Sequence, residues 1–132
     1  MKSRIAILPF PTLALIAVIA VMTTVAPASA SPIQPVGSPP PATFNRLHTY
    51  EEITDLLKGY AAAYPKWTKL ESLGKSIQGR DLWMITINNP ATGLELSKPA
   101  MYIDGNIHAN EVQGGETALY TVDYLLKNYG VL

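Results

Sequence analysis

Proline placement constrains this chain more than any other feature of its sequence. Five of its eleven prolines fall between Ser31 and Pro41, at positions 32, 35, 39, 40 and 41. Proline fixes φ and lacks a backbone donor, so this stretch can form neither a helix interior nor a central strand. We therefore predict an extended, solvated linker over residues 31–43, with the folded part beginning near Phe44.

The first thirty residues have the three parts of an export signal. Lys2 and Arg4 make the start basic, residues 5–26 carry no charge, and the stretch closes with the small residues Ala28-Ser29-Ala30. A permanent membrane anchor is the alternative, because the uncharged run could nearly span a bilayer. Pro9 and Pro11 disfavour that run as one continuous helix, and Pro27 ends it just before the Ala-Ser-Ala site. We predict that residues 1–30 are a signal peptide cleaved after Ala30 and that the protein is secreted or periplasmic.

Charge and cysteine content exclude several classes of protein. Loss of the signal peptide leaves 8 basic and 10 acidic residues, without the clustered Lys and Arg that nucleic-acid binding requires. After signal cleavage no membrane association is expected. The chain has no cysteine, so disulfides cannot stabilise it. Stability must then come from a hydrophobic core or from a bound metal.

Two segments have the periodicity of amphipathic helices. Residues 50–63 follow a capping box formed by Thr49 and Glu52, and Pro65 ends the pattern. The apolar stripe of this first helix contains Ile53, Leu56, Leu57, Tyr60 and Tyr64. A second helix is predicted over residues 112–128, with an apolar side made by Leu119, Val122, Leu125, Leu126 and Tyr129.

Three segments have the composition of strands. Residues 70–76 and 81–88 flank Gln78-Gly79-Arg80, which predicts an antiparallel hairpin. Residues 100–104 form a short apolar run that Gly105 interrupts, which favours a buried central strand. The order helix, hairpin, strand, helix indicates an α/β layered domain.

The candidate functional residues lie just after that third predicted strand. His108 and Glu111 stand three residues apart at the predicted start of the second helix. Strand ends of α/β sheets are where ligand sites occur. Imidazole and carboxylate are ordinary zinc ligands, and a turn can aim both at one ion. The spacing alone is common, so it predicts a metal site only weakly.

Three segments in order resemble the zinc carboxypeptidases, the carboxypeptidase A-like metallopeptidases. Ser76–Leu82 resembles the family's Ser-x-x-Gly-Arg hairpin, and Lys98–Glu111 resembles its first metal-binding segment. The apolar helix that follows is the third. The resemblance covers residues 44–132 and implies the N-terminal portion of a three-layer α/β/α domain with a mixed sheet, incomplete after the first metal-binding segment.

The resemblance implies that His108 and Glu111 bind one Zn²⁺ and that the substrate is a peptide cut at its C-terminus. It places the third ligand and the general base beyond Leu132, so the chain as given is expected to be inactive. Pancreatic-type members have arginine directly before the glutamate ligand, whereas this chain has Asn110. Asn110 is therefore a candidate substrate-binding residue, compatible with a bacterial branch that cuts cell-wall peptides.

The remaining polar residues are interpreted as structural or solvated. We expect His48 to be exposed and inert, and Arg80 to serve the hairpin turn. Asp104 could orient His108, although a solvated carboxylate at a strand end is favoured. Glu116 and Asp123 are expected on the solvated side of the second helix.

Two other functions stay open at this stage. A related zinc amidohydrolase or deacylase, including a cell-wall peptide amidase, would use the same metal pair on a different amide. A secreted binding module could retain the fold without catalysis. A second histidine and a later glutamate would favour catalysis, and the capped first helix with its hairpin favours the peptidase.

Overall fold

The computed structural model describes residues 32–129 and contains two helices and one hairpin. Helix α1 spans Tyr50–Ala63, strand β1 Thr68–Lys75, strand β2 Asp81–Ile87 and helix α2 Val112–Asn128. Two short 3-10 turns, Pro90–Thr92 and Glu95–Ser97, lie between β2 and α2. The α/β class is confirmed, and both helices have the predicted bounds.

The start of α1 follows from its capping box. The Glu52 backbone N–H donates to Thr49 Oγ1 at 3.2 Å, and the Thr49 N–H donates to Glu52 Oε2 at 2.8 Å. Two backbone donors that the first turn leaves without helical acceptors are thereby satisfied. Arg46 also donates to both oxygens of Glu52, at 2.7 and 2.9 Å.

The hairpin is antiparallel, as predicted, with Thr68 opposite Ile87 and Leu70 opposite Ile85. Strand β2 begins at Asp81 as predicted, and the other three strand ends lie one or two residues earlier than predicted. Gly79 has φ +78 in the turn, a conformation that glycine adopts without steric cost. Arg80 follows it and stacks over the Tyr50 ring, 5.4 Å from the centroid, which fits its predicted structural role.

Side chains from both helices and the hairpin form one core. Tyr60 and Leu126 are fully buried, and Trp83 of β2 donates from Nε1 to Thr54 Oγ1 on α1 at 3.0 Å. The buried apolar members are Ile33, Leu57, Tyr60, Ala63, Tyr64, Leu119 and Leu126. Helix α2 therefore contributes Leu119 and Leu126 to the same core as α1.

Residues 100–104 do not form the predicted strand. They are irregular, and Met101 and Tyr102 are 85% and 76% exposed. A strand forms only where a neighbouring strand accepts its backbone hydrogen bonds. Within residues 32–129 the sheet has two strands, which pair with each other. The mixed sheet that the resemblance implies for the whole domain is therefore represented in this part of the chain by one antiparallel hairpin.

The predicted linker lacks helix and strand, but it is not fully solvated. Ile33 is 8% exposed and belongs to the core. The backbone N–H of Val36 donates to the Ala63 carbonyl at 2.8 Å, and the Pro40 ring lies beside Gly59. An isoleucine in a proline-rich stretch can fill a core position wherever the folded part leaves apolar surface uncovered. The predicted signal peptide lies outside the described residues.

Candidate metal centre

The turn before α2 brings His108 and Glu111 to the same side of the chain. Asn106, two residues before His108, has φ +63 and so takes the left-handed backbone conformation. The Glu111 N–H then donates to the His108 carbonyl at 2.9 Å, and the Gly114 N–H to the Glu111 carbonyl at 2.9 Å. Glu111 occupies the cap position of α2, whose first helical residue is Val112.

His108 and Glu111 contact each other through two pairs of atoms. Nδ1 of His108 lies 2.9 Å from Oε1 of Glu111, and the His108 backbone N–H donates to Oε2 at 3.2 Å. Their side chains are 74% and 52% exposed. The hydrogen bond from the His108 side chain, followed by that from its backbone, lowers the pKa of Glu111. The carboxylate is therefore ionised at neutral pH, as a metal ligand must be.

The separation of these two donor atoms suits one zinc ion. Zn–N and Zn–O bonds of about 2.0–2.2 Å in a tetrahedral site place two donors roughly 3.3 Å apart. Nδ1 of His108 and Oε1 of Glu111, which are 2.9 Å apart, would need to move apart by only roughly 0.4 Å to accept the ion. A catalytic zinc site uses three protein ligands, and the described part of the chain holds no cluster of three or more His, Cys, Asp or Glu residues.

The other predicted site residues are solvent-exposed. Asn110 lies between the two candidate ligands in sequence, and its side chain is open to solvent. Asp104 is also exposed, and Nδ1 of His108 faces Glu111. The favoured interpretation of Asp104, a solvated carboxylate, agrees with its exposure.

The prediction that His48 is exposed and Glu116 solvated is wrong. Their side chains are 3% and 10% exposed, and Nδ1 of His48 lies 2.7 Å from Oε2 of Glu116. The His48 backbone N–H donates to Oε1 of the same carboxylate at 2.6 Å. Both carboxylate oxygens are thus occupied, which is what allows an acidic side chain to be buried. This pair fastens the segment before α1 to α2.

Asp123 is the second acidic residue that the sequence analysis placed in solvent. It is 9% exposed, accepts a hydrogen bond of 2.5 Å from the Tyr60 hydroxyl, and pairs with Lys127. Burial, followed by this hydrogen bond, raises the pKa of Tyr60 well above its ordinary value. The phenol therefore remains a neutral donor to the carboxylate.

The two acidic residues show that α2 buries a wider face than the predicted one. Of the predicted apolar side, Leu119 and Leu126 are in the core, and Val122 and Tyr129 pack against it. Its buried residues are Glu116, Leu119, Asp123 and Leu126, whereas Leu125 is 43% exposed. Positions 116, 119, 123 and 126 are separated by three, four and three residues, which places them on one face of a helix. The spacing in the sequence was therefore sufficient to indicate this face. The interpretation missed it because carboxylates were assigned to solvent without considering distant donors.

A groove of about 480 Å³ lies beside the buried His48–Glu116 pair rather than beside His108 and Glu111. It is lined by residues before α1 and on α2, including Phe44, Arg46, Glu116 and Tyr120.

Across residues 32–129, no helix combines the length and apolar character needed to cross a membrane.

Known proteins resemble the segment that contains the candidate metal pair. A family model described as zinc carboxypeptidase matches residues 53–131. Carboxypeptidase D of Mus musculus is 36% identical over 104 residues, which cover 79% of this chain and 7% of that protein. Carboxypeptidase Z of Mus musculus is 38% identical over 97 residues, 72% of this chain and 14% of that protein. Carboxypeptidase M of Mus musculus is 33% identical over 84 residues, 64% of this chain and 19% of that protein. The chain thus spans less than a fifth of each of these relatives.

Proposed function

The chain belongs to the zinc carboxypeptidase family, and we propose that it supplies two of the protein ligands of one zinc ion, His108 and Glu111, in an exported metallocarboxypeptidase. Such an enzyme removes C-terminal residues from peptides. One observation carries the proposal: the two side chains converge to 2.9 Å on an exposed turn, inside the segment that the family model matches.

The environment of the two residues supports a role in binding an ion. An imidazole and a carboxylate satisfied only by each other could be a surface ion pair, which contributes little to stability. Here the turn hydrogen bonds fix the backbone between them, so the pair is held without help from the core. A preformed pair of donors open to solvent is accessible both to the metal and to a substrate.

Each residue has a separate part in this proposal. Bound zinc would polarise the scissile carbonyl and lower the pKa of a bound water. His108 offers Nδ1 and Glu111 offers an ionised carboxylate oxygen. Asn110 presents an uncharged amide that can both donate and accept a hydrogen bond with the peptide. A third ligand and a general base would come from chain outside residues 32–129.

Metal analysis of three variants of the full-length protein tests the proposal. His108→Ala and Glu111→Ala should each reduce bound zinc below stoichiometric, because each removes one of three protein ligands. Asn110→Ala is the matched control from the same turn, and it should retain zinc and weaken substrate binding. Full zinc occupancy in both ligand variants would refute the assignment.

A corollary concerns residues 31–132 expressed alone. Two protein ligands hold zinc less tightly than three, so this polypeptide should bind zinc weakly and should not hydrolyse a blocked dipeptide. Tight zinc binding with measurable turnover would show that residues 31–132 are sufficient for both.

A further inference from the structure

The backbone of Gly105 lies closer to helix α2 than any residue with a side chain could. A Cβ atom placed on Gly105 would lie 2.3 Å from the Gly114 carbonyl oxygen and 2.7 Å from the Gly115 nitrogen. Separations that short would force the two backbones apart. Gly105 is not among the residues with positive φ, so the requirement for glycine comes from space and not from conformation.

The two neighbouring contacts extend this close approach. Asn106 has φ +63, a conformation that asparagine tolerates better than most residues. On the helix side, a Cβ atom at Gly114 would lie 3.3 Å from the Asn106 nitrogen. We call this contact between Gly105, Asn106 and Gly114 the glycine junction.

The glycine junction closes the loop that carries the proposed zinc ligands. Gly105 and Asn106 come just before His108, and Gly114 comes three residues after Glu111. Between them, the Glu111 N–H donates to the His108 carbonyl and the Gly114 N–H to the Glu111 carbonyl, both at 2.9 Å. Any change that separates the two ends must therefore alter the position of Glu111 relative to His108.

We propose that the glycine junction positions His108 and Glu111 for a shared zinc ion, an inference that rests on the proposed function of that pair. The three junction residues do not contact the ion themselves. They act through the loop between them, so they are positioning residues. The pair needs this support because its side chains are exposed and nothing in the core fixes them.

A graded series of alanine variants in the full-length protein tests the role of the junction. Gly105→Ala should lower zinc affinity about 10- to 100-fold, the range typical of residues that orient metal ligands. Gly114→Ala creates a milder contact and should lower it less. Gly115→Ala is the matched control, because its added Cβ would have only an ordinary contact of 3.7 Å with Asn106. It should bind zinc like the unaltered protein.

A second measurement needs no metal. The His108 backbone N–H donates to Oε2 of Glu111, so its amide NMR shift reports the geometry of the pair. In Gly105→Ala this shift should move toward the value in Glu111→Ala, and in Gly115→Ala it should stay unchanged. A merely structural glycine would lower the unfolding midpoint but leave both zinc affinity and this shift intact in the folded protein.

The outcomes separate the two proposals. If His108→Ala and Glu111→Ala both hold zinc as tightly as the unaltered protein, the proposed function fails and the inference fails with it. If His108→Ala loses zinc while folded Gly105→Ala and Gly114→Ala keep full affinity, only the role of the junction is refuted. Should Gly105→Ala not fold, Gly114→Ala decides: weakened zinc binding with a shifted His108 amide supports the inference, and unaltered values of both overturn it.

Discussion

This molecule contains two histidine–glutamate pairs that are nearly alike in geometry and opposite in environment. In each, Nδ1 approaches one carboxylate oxygen, at 2.7 Å for His48–Glu116 and 2.9 Å for His108–Glu111. In each, the histidine backbone N–H donates to the other oxygen of the same carboxylate. The first pair is buried and joins residues 68 positions apart, whereas the second is exposed and joins residues three apart.

The comparison shows that burial favours a structural role for a histidine–glutamate pair and that exposure favours a role in binding an ion. A buried carboxylate must have its oxygens satisfied, and Glu116 achieves this by holding the segment before α1 against α2. An exposed pair contributes little to folding, because water could serve both groups equally well. The nitrogen and oxygen atoms of the exposed pair can therefore bind an incoming ion instead of each other. For this reason His108–Glu111, and not His48–Glu116, is the proposed metal pair.

The largest effect should come from removing the buried carboxylate. Glu116→Ala would leave the His48 backbone N–H and its ring buried without their acceptor. Each of these two unsatisfied groups costs about 1–3 kcal/mol, so we expect a loss of about 2–6 kcal/mol in the free energy of unfolding. Urea denaturation monitored by tryptophan fluorescence measures the loss.

Glu111→Ala is the control that sharpens this contrast, since it removes the same group from the exposed pair. Its urea midpoint in the absence of metal should match that of the unaltered protein. Equal destabilisation by the two variants would mean that burial does not distinguish the pairs.

A smaller effect is expected from Tyr60→Phe. The variant removes the hydroxyl that donates to buried Asp123 but leaves Lys127 paired with that carboxylate. We expect a loss of about 1–2 kcal/mol in the free energy of unfolding at neutral pH. Asp123 would then resemble Glu116 in depending on a donor from another element, and an unchanged stability would contradict that likeness.

The pH dependence gives a second test of the same residue. The folded protein keeps the pKa of Tyr60 well above its ordinary value, whereas in the unfolded chain a tyrosine ionises near pH 10. The contribution of Tyr60 is thus complete below about pH 10 and is lost as the pH rises further. Stability above pH 10 should fall less steeply in Tyr60→Phe, as alkaline urea titrations can show.

The smallest effect on stability is expected at Glu52, an exposed carboxylate that Arg46 and Thr49 contact. Hydrogen bonds from Arg46 and then from Thr49 lower the pKa of Glu52 from 4.5 to about 2. Its contribution is present above the unfolded pKa and is lost as the pH falls from 4.5 toward about 2. In Arg46→Met, an NMR titration should find the pKa of Glu52 closer to 4.5, with a shallower acid-side loss of stability. An unmoved pKa would show that Arg46 is not its main cause.

Local features were predictable from the sequence and nonlocal ones were not. The capping box, the apolar spacing and Pro65 were sufficient to predict both bounds of α1, because a helix satisfies its backbone within one segment. The strand expected over residues 100–104 failed for the opposite reason. Its composition suits a strand, but its hydrogen bonds need a neighbour that the described residues do not provide.

By itself the sequence determined the helices, the hairpin and the adjacency of His108 and Glu111, since three residues in a turn cannot lie far apart. Only the tertiary structure decided that Ile33 enters the core, that α2 buries Glu116 and Asp123, and that Gly105 touches Gly114. Whether a carboxylate is buried depends on the free energy of removing it from water against that of the hydrogen bonds it gains. For Glu116 and Asp123 those bonds come from donors more than sixty residues away, and only the packed chain brings them together.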